Sequence, residues 1–287
     1  MASFGWTIPT RRATGDHHRA VSRYEQIARG ADQAGFDTVY LPWDDDGDST
    51  LVVAGVVARA TRLARVVVET HAGAGSPVYL AKLFASAQRA ASGRLDLALR
   101  ARAGAAFEAS IGGGLGQTDA TARLVEFAAT FRGVWNEHEV ALDDDSAPFE
   151  ADGRFFQVAG GGLRGILSGV ARPRFYRPAD ETGPAELYDT LIARTPTDGQ
   201  ALAVRILVRE TADEALAENT GDPADGIVGS YAQAIEALGE AIDNGADQII
   251  FRADDPIGEL YRVAENVLPA LDAGRRAERD ADEEAAA

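Results

Sequence analysis

Short apolar runs alternate with longer stretches of helical periodicity from the first residues onward. Ser3–Ile8 (SFGWTI) reads as a strand closed by Pro9. His18–Ala34 carries Val21, Tyr24, Ile27, Ala28 and Ala31 at helical spacing and stops at Gly35. Thr38–Leu41 (TVYL) is a strand, Leu51–Ala60 an apolar helix and Val66–Glu69 (VVVE) a strand. Pro77–Ala91 begins a helix at proline and ends it at Ser92-Gly93, and Leu95–Leu99 (LDLAL) is the fourth strand. Strands that alternate with helices in this way predict a parallel sheet with helical crossovers.

The middle is less regular. Asp119–Trp135 predicts an amphipathic helix through Leu124, Phe127, Phe131 and Trp135. A hairpin excursion follows, with Asp152-Gly153 as its turn and Phe149, Phe155, Phe156 and Val158 beside it. Arg174–Tyr176 predicts a strand and Pro184–Arg194 a helix. The rhythm then returns as strand Leu202–Val208, helices Asp213–Asn219 and Ser230–Asn244, strand Gln248–Phe251 and helix Gly258–Leu271. Seven strands, with room for one more, define an α/β fold, a (β/α)8 barrel with one strand–helix unit in question. The expected organisation is one barrel domain over residues 1–272, with its excursion near 140–165. A polar, disordered tail follows over 273–287.

Composition narrows the functions. The chain has 287 residues, and its formal charge of −17 lacks the basic face that phosphate backbones need, which excludes nucleic acid. No apolar run reaches the roughly 20 residues of a membrane span, and the N-terminus shows no secretory signal, so a cytoplasmic location is expected. There is no cysteine, hence neither disulfide nor thiolate chemistry. Lys82 is the single lysine; the other cations are arginines, whose planar forks suit anionic ligands.

The stretch TIPT, then YEQIARGADQAGFDTVYLP, the SP of GAGSPVYLAKLFASAQRAASGRLDLAL, VEFAATFRGVW, FFQVAGGGLRG, VRILVRET, VGSYAQAIEAL and FRADDPIGELYRVAENVLPALD occur in an order that resembles the bacterial luciferase-like, flavin-dependent monooxygenases, in particular the alkanesulfonate monooxygenase branch. The resemblance spans most of Phe4–Asp272. It implies a luciferase-like TIM-type barrel that binds reduced FMN from a separate flavin reductase, activates oxygen at the flavin, and works as a homo- or heterodimer. This chain departs from the branch at its polar positions. Arg11 stands where the branch has histidine, Gly47 where it has cysteine, and Ala120-Thr121 where it has Arg-Tyr. Ala203, Arg205 and Asp254 replace arginine, histidine and tyrosine, and RPADETG follows RPRFY in place of a glycine–serine phosphate loop.

Active faces of such barrels lie at the C-terminal strand ends. That rule gathers Thr10, Arg11, Trp43, His71, Arg100, Arg177 and Arg252 as candidate cofactor-binding residues, with Arg102 on the same rim, and it singles out no catalytic residue. The arginines have two readings: bidentate anion ligands, or salt-bridge partners for the many aspartates. The run YLPWDDDGDST has four aspartates, but position twelve counted from Asp44 is Gly55, so calcium-loop spacing fails. It reads as a solvated loop in which Asp48 or Ser49 caps the next helix. The histidines His17, His18, His71 and His138 lack zinc-site spacing, so no metal is expected. GGGLRG, Gly160–Gly165, matches G-x-G-x-x-G, but ILSGVARPR after it has no helical period, which makes it a loop.

The expected function is therefore an FMN-dependent monooxygenase acting with oxygen on a small organic substrate, a sulfonate among the candidates, with a deazaflavin as second-choice cofactor. The alternative is a catalytically degenerate barrel, a non-catalytic partner subunit or ligand-binding protein, because scaffold motifs persist where the polar site positions have changed.

Overall fold

The computed structural model describes residues 2–11, 20–111, 114–140, 149–161, 169–195 and 199–271. Expectations placed on His17, His18, most of GGGLRG and the tail fall outside these residues, as do those on the side chain of His138.

Eight parallel strands close into a barrel: β1 (Ser3–Thr7), β2 (Thr38–Leu41), β3 (Arg65–His71), β4 (Leu95–Arg100), β7 (Phe175–Arg177), β8 (Thr190–Ala193), β9 (Gln200–Arg209) and β11 (Ala246–Arg252). Closure comes from β8 pairing with β9 at Ile192–Ala201 and Ala193–Leu202, while β9 pairs with β11 on its other side. A further strand, β10 (Gly226–Ser230), pairs with the upper half of β9, and β5 (Phe149–Asp152) and β6 (Gln157–Gly161) form a separate hairpin.

The helices follow the apolar stripes of the sequence. Helix α1 spans Ala20–Gln33, α2 Thr50–Ala60 and α3 Pro77–Ala90. A short α4, Ala105–Ser110, precedes α5, Gln117–Val140. Beyond the barrel's second half lie α6, Ala212–Glu218, α7, Tyr231–Asp243, and α8, Gly258–Asn266. Trp6, Phe36, Phe84, Phe127, Phe131, Trp135, Phe175 and Phe251 are fully buried in the large core cluster. A smaller cluster, Tyr40, Val67, Ala98, Tyr176, Ile192, Ala201 and Ile250, fills the barrel axis.

The helix expected over Pro184–Arg194 is not there. The chain makes one 3-10 turn at Ala185–Leu187 and then enters β8. Leu187, Tyr188, Leu191 and Ile192 mimic helical spacing. Yet Thr190 and Ile192 point into the barrel and Leu191 and Ala193 away from it, the period of two that a strand requires. Eight barrel strands are thus present, and what this part of the barrel lacks is α-helix: none separates β7 from β8 or β8 from β9 among the described residues. The short α4 and β10 were not read from the sequence either.

Glu126 of α5 fastens the hairpin. Its carboxylate accepts the backbone N–H of Phe155 at 2.9 Å and of Phe156 at 2.5 Å. Gly153 lies so close to that carboxylate that a Cβ there would overlap it. Glu126→Ala is expected to destabilise the protein by about 1–2 kcal/mol, since two half-buried amides lose a charged acceptor. Urea denaturation measures it.

Candidate functional site

Strand register decides which side chains face the axis. Partners across parallel strands share a face. Thr7 therefore points inward with Tyr40, Glu69 with Ala98, Ala203 with Ile250, and Arg205 with Arg252. At the C-terminal strand ends these positions open onto a cavity of about 690 Å³. Thr7, Tyr40, Trp43, Glu69, Arg100, Ile192, Arg194, Ala203, Ile250 and Arg252 line it, and residues 178–180 and 224–227 close its rim. That volume is in the range of small-molecule sites.

One wall is a hydrogen-bonded ionic network. The Tyr40 hydroxyl donates to Glu69 Oε2 at 2.7 Å, and Arg100 Nε meets Glu69 Oε1 at 2.9 Å. Arg100 Nη2 reaches out to Asp180 Oδ1 at 2.5 Å. Burial pushes the Glu69 carboxyl above its ordinary value, and the Arg100 charge and the Tyr40 hydrogen bond hold it partway down. The Tyr40 hydroxyl is pushed well up, first by burial and then by the Glu69 charge beside it. Arg100 ends above its ordinary value because Glu69 and Asp180 outweigh the cost of burying it. The Tyr40 phenol therefore keeps its proton and serves as a hydrogen-bond donor, and Glu69 is the member of the wall whose shift favours holding a proton.

Behind Trp43 lies a second layer. The His71 ring packs edge-on to Trp43 at 4.7 Å and to Phe107 at 5.9 Å between centroids. His71 is buried, its Nδ1 has no partner among the described residues, and burial lowers its pKa to about 4. Glu108, itself buried, meets Arg102 at 3.1 Å and Arg123 at 3.4 Å beside it.

Of the residues expected at this rim, Trp43, Arg100 and Arg252 line the cavity. The others lie off it. Thr10 is buried in the loop beneath, with its hydroxyl donating to the Pro42 carbonyl at 2.8 Å and its own carbonyl accepting from Asp48 N and Tyr24 Oη. Arg11 is exposed and pairs with Asp46 at 2.6 Å. His71 stands behind Trp43. Arg177 sits at an outward position of β7 and bonds the Gly183 carbonyl at 3.4 Å. Arg102 is taken up by Glu108. The cavity residues the sequence reading missed include Tyr40, Glu69, Asp180 and Arg194. An acid inside the buried run VVVE was the available signal for Glu69.

The aspartate run is a structural knot. Asp45 Oδ1 accepts Trp43 Nε1 at 2.7 Å and Gly104 N at 3.1 Å, and Asp48 Oδ2 accepts the Tyr24 hydroxyl at 2.9 Å. Asp44 Oδ1 accepts Asp46 N at 2.9 Å. Ser49 is the N-cap of α2 by position, but its side chain makes no capping bond, and Asp48 is turned to Tyr24 instead. Among the described residues no cluster of histidine and acidic side chains is arranged to hold a metal, and no helix is long and apolar enough to cross a membrane.

An eight-stranded parallel α/β barrel with a ligand-sized cavity over its C-terminal strand ends defines the class. Within it, the model of the luciferase-like monooxygenase family matches residues 2–174, more than half of the chain, and the chain belongs to that family. Solved structures share the fold at low identity. Riboflavin lyase (RcaE), solved with modified FMN and riboflavin, superposes with a TM-score of 0.76 at 14% identity over 95% of this chain and 91% of its own. The EDTA monooxygenase (EmoA) of Chelativorans sp. BNC1 gives 0.74 at 14%, covering 95% and 94%. The coenzyme F420 dependent tetrahydromethanopterin reductase of Methanopyrus kandleri gives 0.72 at 12%, covering 94% and 99%.

Proposed function

We propose that the protein is a flavin-dependent monooxygenase whose cavity holds reduced FMN and a small organic substrate. The observation that carries the reading is the cavity itself, placed over the C-terminal strand ends of a luciferase-family barrel and walled by Trp43, the Tyr40–Glu69 pair and arginines. Its size and its mixed aromatic and cationic lining suit a flavin, an aromatic ring system carrying an anionic chain. When bound, reduced flavin would supply two electrons to dioxygen, with one oxygen atom going to the substrate and the other to water. The protein's share is positional. Trp43 gives an aromatic surface, Ile192, Ala203 and Ile250 keep the floor apolar, and the Tyr40–Glu69 pair moves a proton at the edge of the cavity. Arg100 holds Glu69 in place from the side.

The electrons come from a separate flavin reductase, and the working form is a dimer in the cytoplasm. Membership of the alkanesulfonate branch is the narrower proposal, with an anionic substrate consistent with the cavity-facing arginines. A deazaflavin is the second-choice cofactor, and structural neighbours named for FMN and for coenzyme F420 support a flavin-type ligand in either form.

Titration with reduced and oxidised FMN, followed by flavin fluorescence and melting temperature, tests the reading. Saturable binding with oxygen-dependent reoxidation is expected. Absence of binding at high micromolar flavin would leave a barrel without this chemistry.

A further inference from the structure

Most well-placed guanidinium groups of this acidic protein are spent on carboxylates. Arg65 and Arg174 serve Asp96, Arg100 serves Glu69 and Asp180, Arg205 serves Asp254, and Arg209 serves Glu218 and Glu259. Arg194 and Arg252 are different. Both line the cavity and both are exposed to it at the ends of inward-facing registers. Neither has a carboxylate partner among the described residues, in a chain with 45 acidic residues against 28 basic ones. Asp225 lies on the same rim and pairs with neither.

The sheet order places these two arginines together. Strands β8 and β11 flank β9 on either side, so their backbones stand about 10 Å apart across it. Level with Arg194, β9 presents Ala203 opposite Ile250, and its methyl leaves the space below Arg252 open. One step higher, β9 carries Arg205 at the register of Arg252; it is buried, and its Nη1 has no partner among the described residues. The opposite wall bears Glu69 and Asp180, tied to Arg100. Asp225 on the rim apart, the cavity is therefore polarised, with Glu69 and Asp180 neutralised on the β3–β4 side and two guanidinium forks without a carboxylate partner among the described residues on the β8–β11 side.

We infer that Arg194 and Arg252 form a clamp for a tetrahedral oxyanion carried by the cavity's ligand. Two forks converging on phosphate or sulfonate oxygens make charge-assisted, directional hydrogen bonds that lysine or a neutral side chain does not reproduce. The oxyanion has two possible sources: the phosphate ester of FMN, which rests on the flavin reading above, or the anionic group of the organic substrate.

The test compares wild type with the Arg194→Gln/Arg252→Gln double variant. Arg59→Gln, an exposed change on α2, is the control for loss of charge alone. FMN and riboflavin binding are measured by calorimetry, and melting temperature is followed with inorganic sulfate at constant ionic strength. If the clamp takes the flavin phosphate, wild type binds FMN about tenfold or more tightly than riboflavin. The double variant then loses that preference and keeps its riboflavin affinity. If it takes the substrate's oxyanion, the two flavins bind alike and sulfate raises the melting temperature of wild type but not of the double variant. An FMN preference and a sulfate response that are both absent from wild type, or unchanged in the double variant, overturn the clamp, as does an equal loss in Arg59→Gln. Failure of wild type to bind either flavin defeats the flavin reading alone, since the sulfate arm still decides the clamp.

Discussion

Replacing Asp96 with alanine is expected to cost about 3 kcal/mol of unfolding free energy. Asp96 points inward near the N-terminal mouth of the barrel, with its side chain fully buried. Its carboxylate accepts Arg65 Nε and Nη2, each at 2.7 Å. From the other side it accepts the Arg174 backbone N–H at 2.9 Å and Arg174 Nη2 at 3.0 Å. The bond to Asp96 holds Arg65 above its ordinary value. Removing the acid leaves two guanidinium groups facing each other across a cavity. Losses of about 3–5 kcal/mol are usual when one member of a buried pair is removed. Arg65 and Arg174 are one-third and one-half exposed, so water recovers part of the cost and the lower end applies. Arg174→Ala, which removes only the more exposed partner, is expected to cost about 1 kcal/mol. Guanidinium denaturation with an unchanged slope measures both. A loss below about 1 kcal/mol for Asp96→Ala would show that the ion cluster contributes little to closing the barrel. The cluster lies at the opposite mouth from the 690 Å³ cavity, so ligand binding by the folded variant is expected to be unaltered.

The same alternation that places Asp96 explains what the sequence revealed and what it hid. Strands buried on both faces read as compact apolar runs, and VVVE, LDLAL and TVYL were legible for that reason. The strand at Thr190–Ala193 was not, because four residues next to Leu187 and Tyr188 satisfy a helical count as well as an alternating one. Strand ends identified the rim, and Trp43, Arg100 and Arg252 do reach the cavity. End position alone cannot separate inward from outward residues. Arg177 fell on the outward register, while Thr10 and His71 were covered by Tyr24 and Trp43 packing from other elements. Tyr40 and Glu69 required pairing register, which depends on how far β2 and β3 are staggered, and no local pattern carries that. The aspartate run was legible as a loop, but not as one whose carboxylates are engaged internally. Its actual partners, Tyr24, Trp43 and Gly104, lie up to 59 positions away in sequence.

Acidification is expected to cost about 3 kcal/mol through His71 alone. Burial behind Trp43 and Phe107 lowers its pKa from 6.5 to about 4; the Glu108 charge opposes that shift, and Arg123 adds to it. The folded protein thus keeps a neutral imidazole where the unfolded chain takes up a proton. Its contribution is intact above pH 6.5, falls as pH drops through the window from 6.5 to about 4, and is fully lost below it. Glu69 acts with the opposite sign, since its raised pKa lets the folded state hold a proton that the unfolded chain has released, and stability from this source falls as pH rises. The informative quantity is therefore the difference between wild type and His71→Phe, which keeps an aromatic ring against Trp43 and Phe107 and leaves Glu69 in place. Asp45, Glu108, Arg100 and Arg123 are the charged groups facing His71, and the substitution spares all of them. Denaturant unfolding at stepped pH should show wild type losing about 3 kcal/mol relative to His71→Phe between neutral pH and pH 4. Parallel pH curves for the two proteins would mean that His71 takes up its proton in the folded state near its ordinary value. The Trp43 wall of the cavity would then be open enough to water to hydrate a buried cation, and it could not exclude solvent from the site.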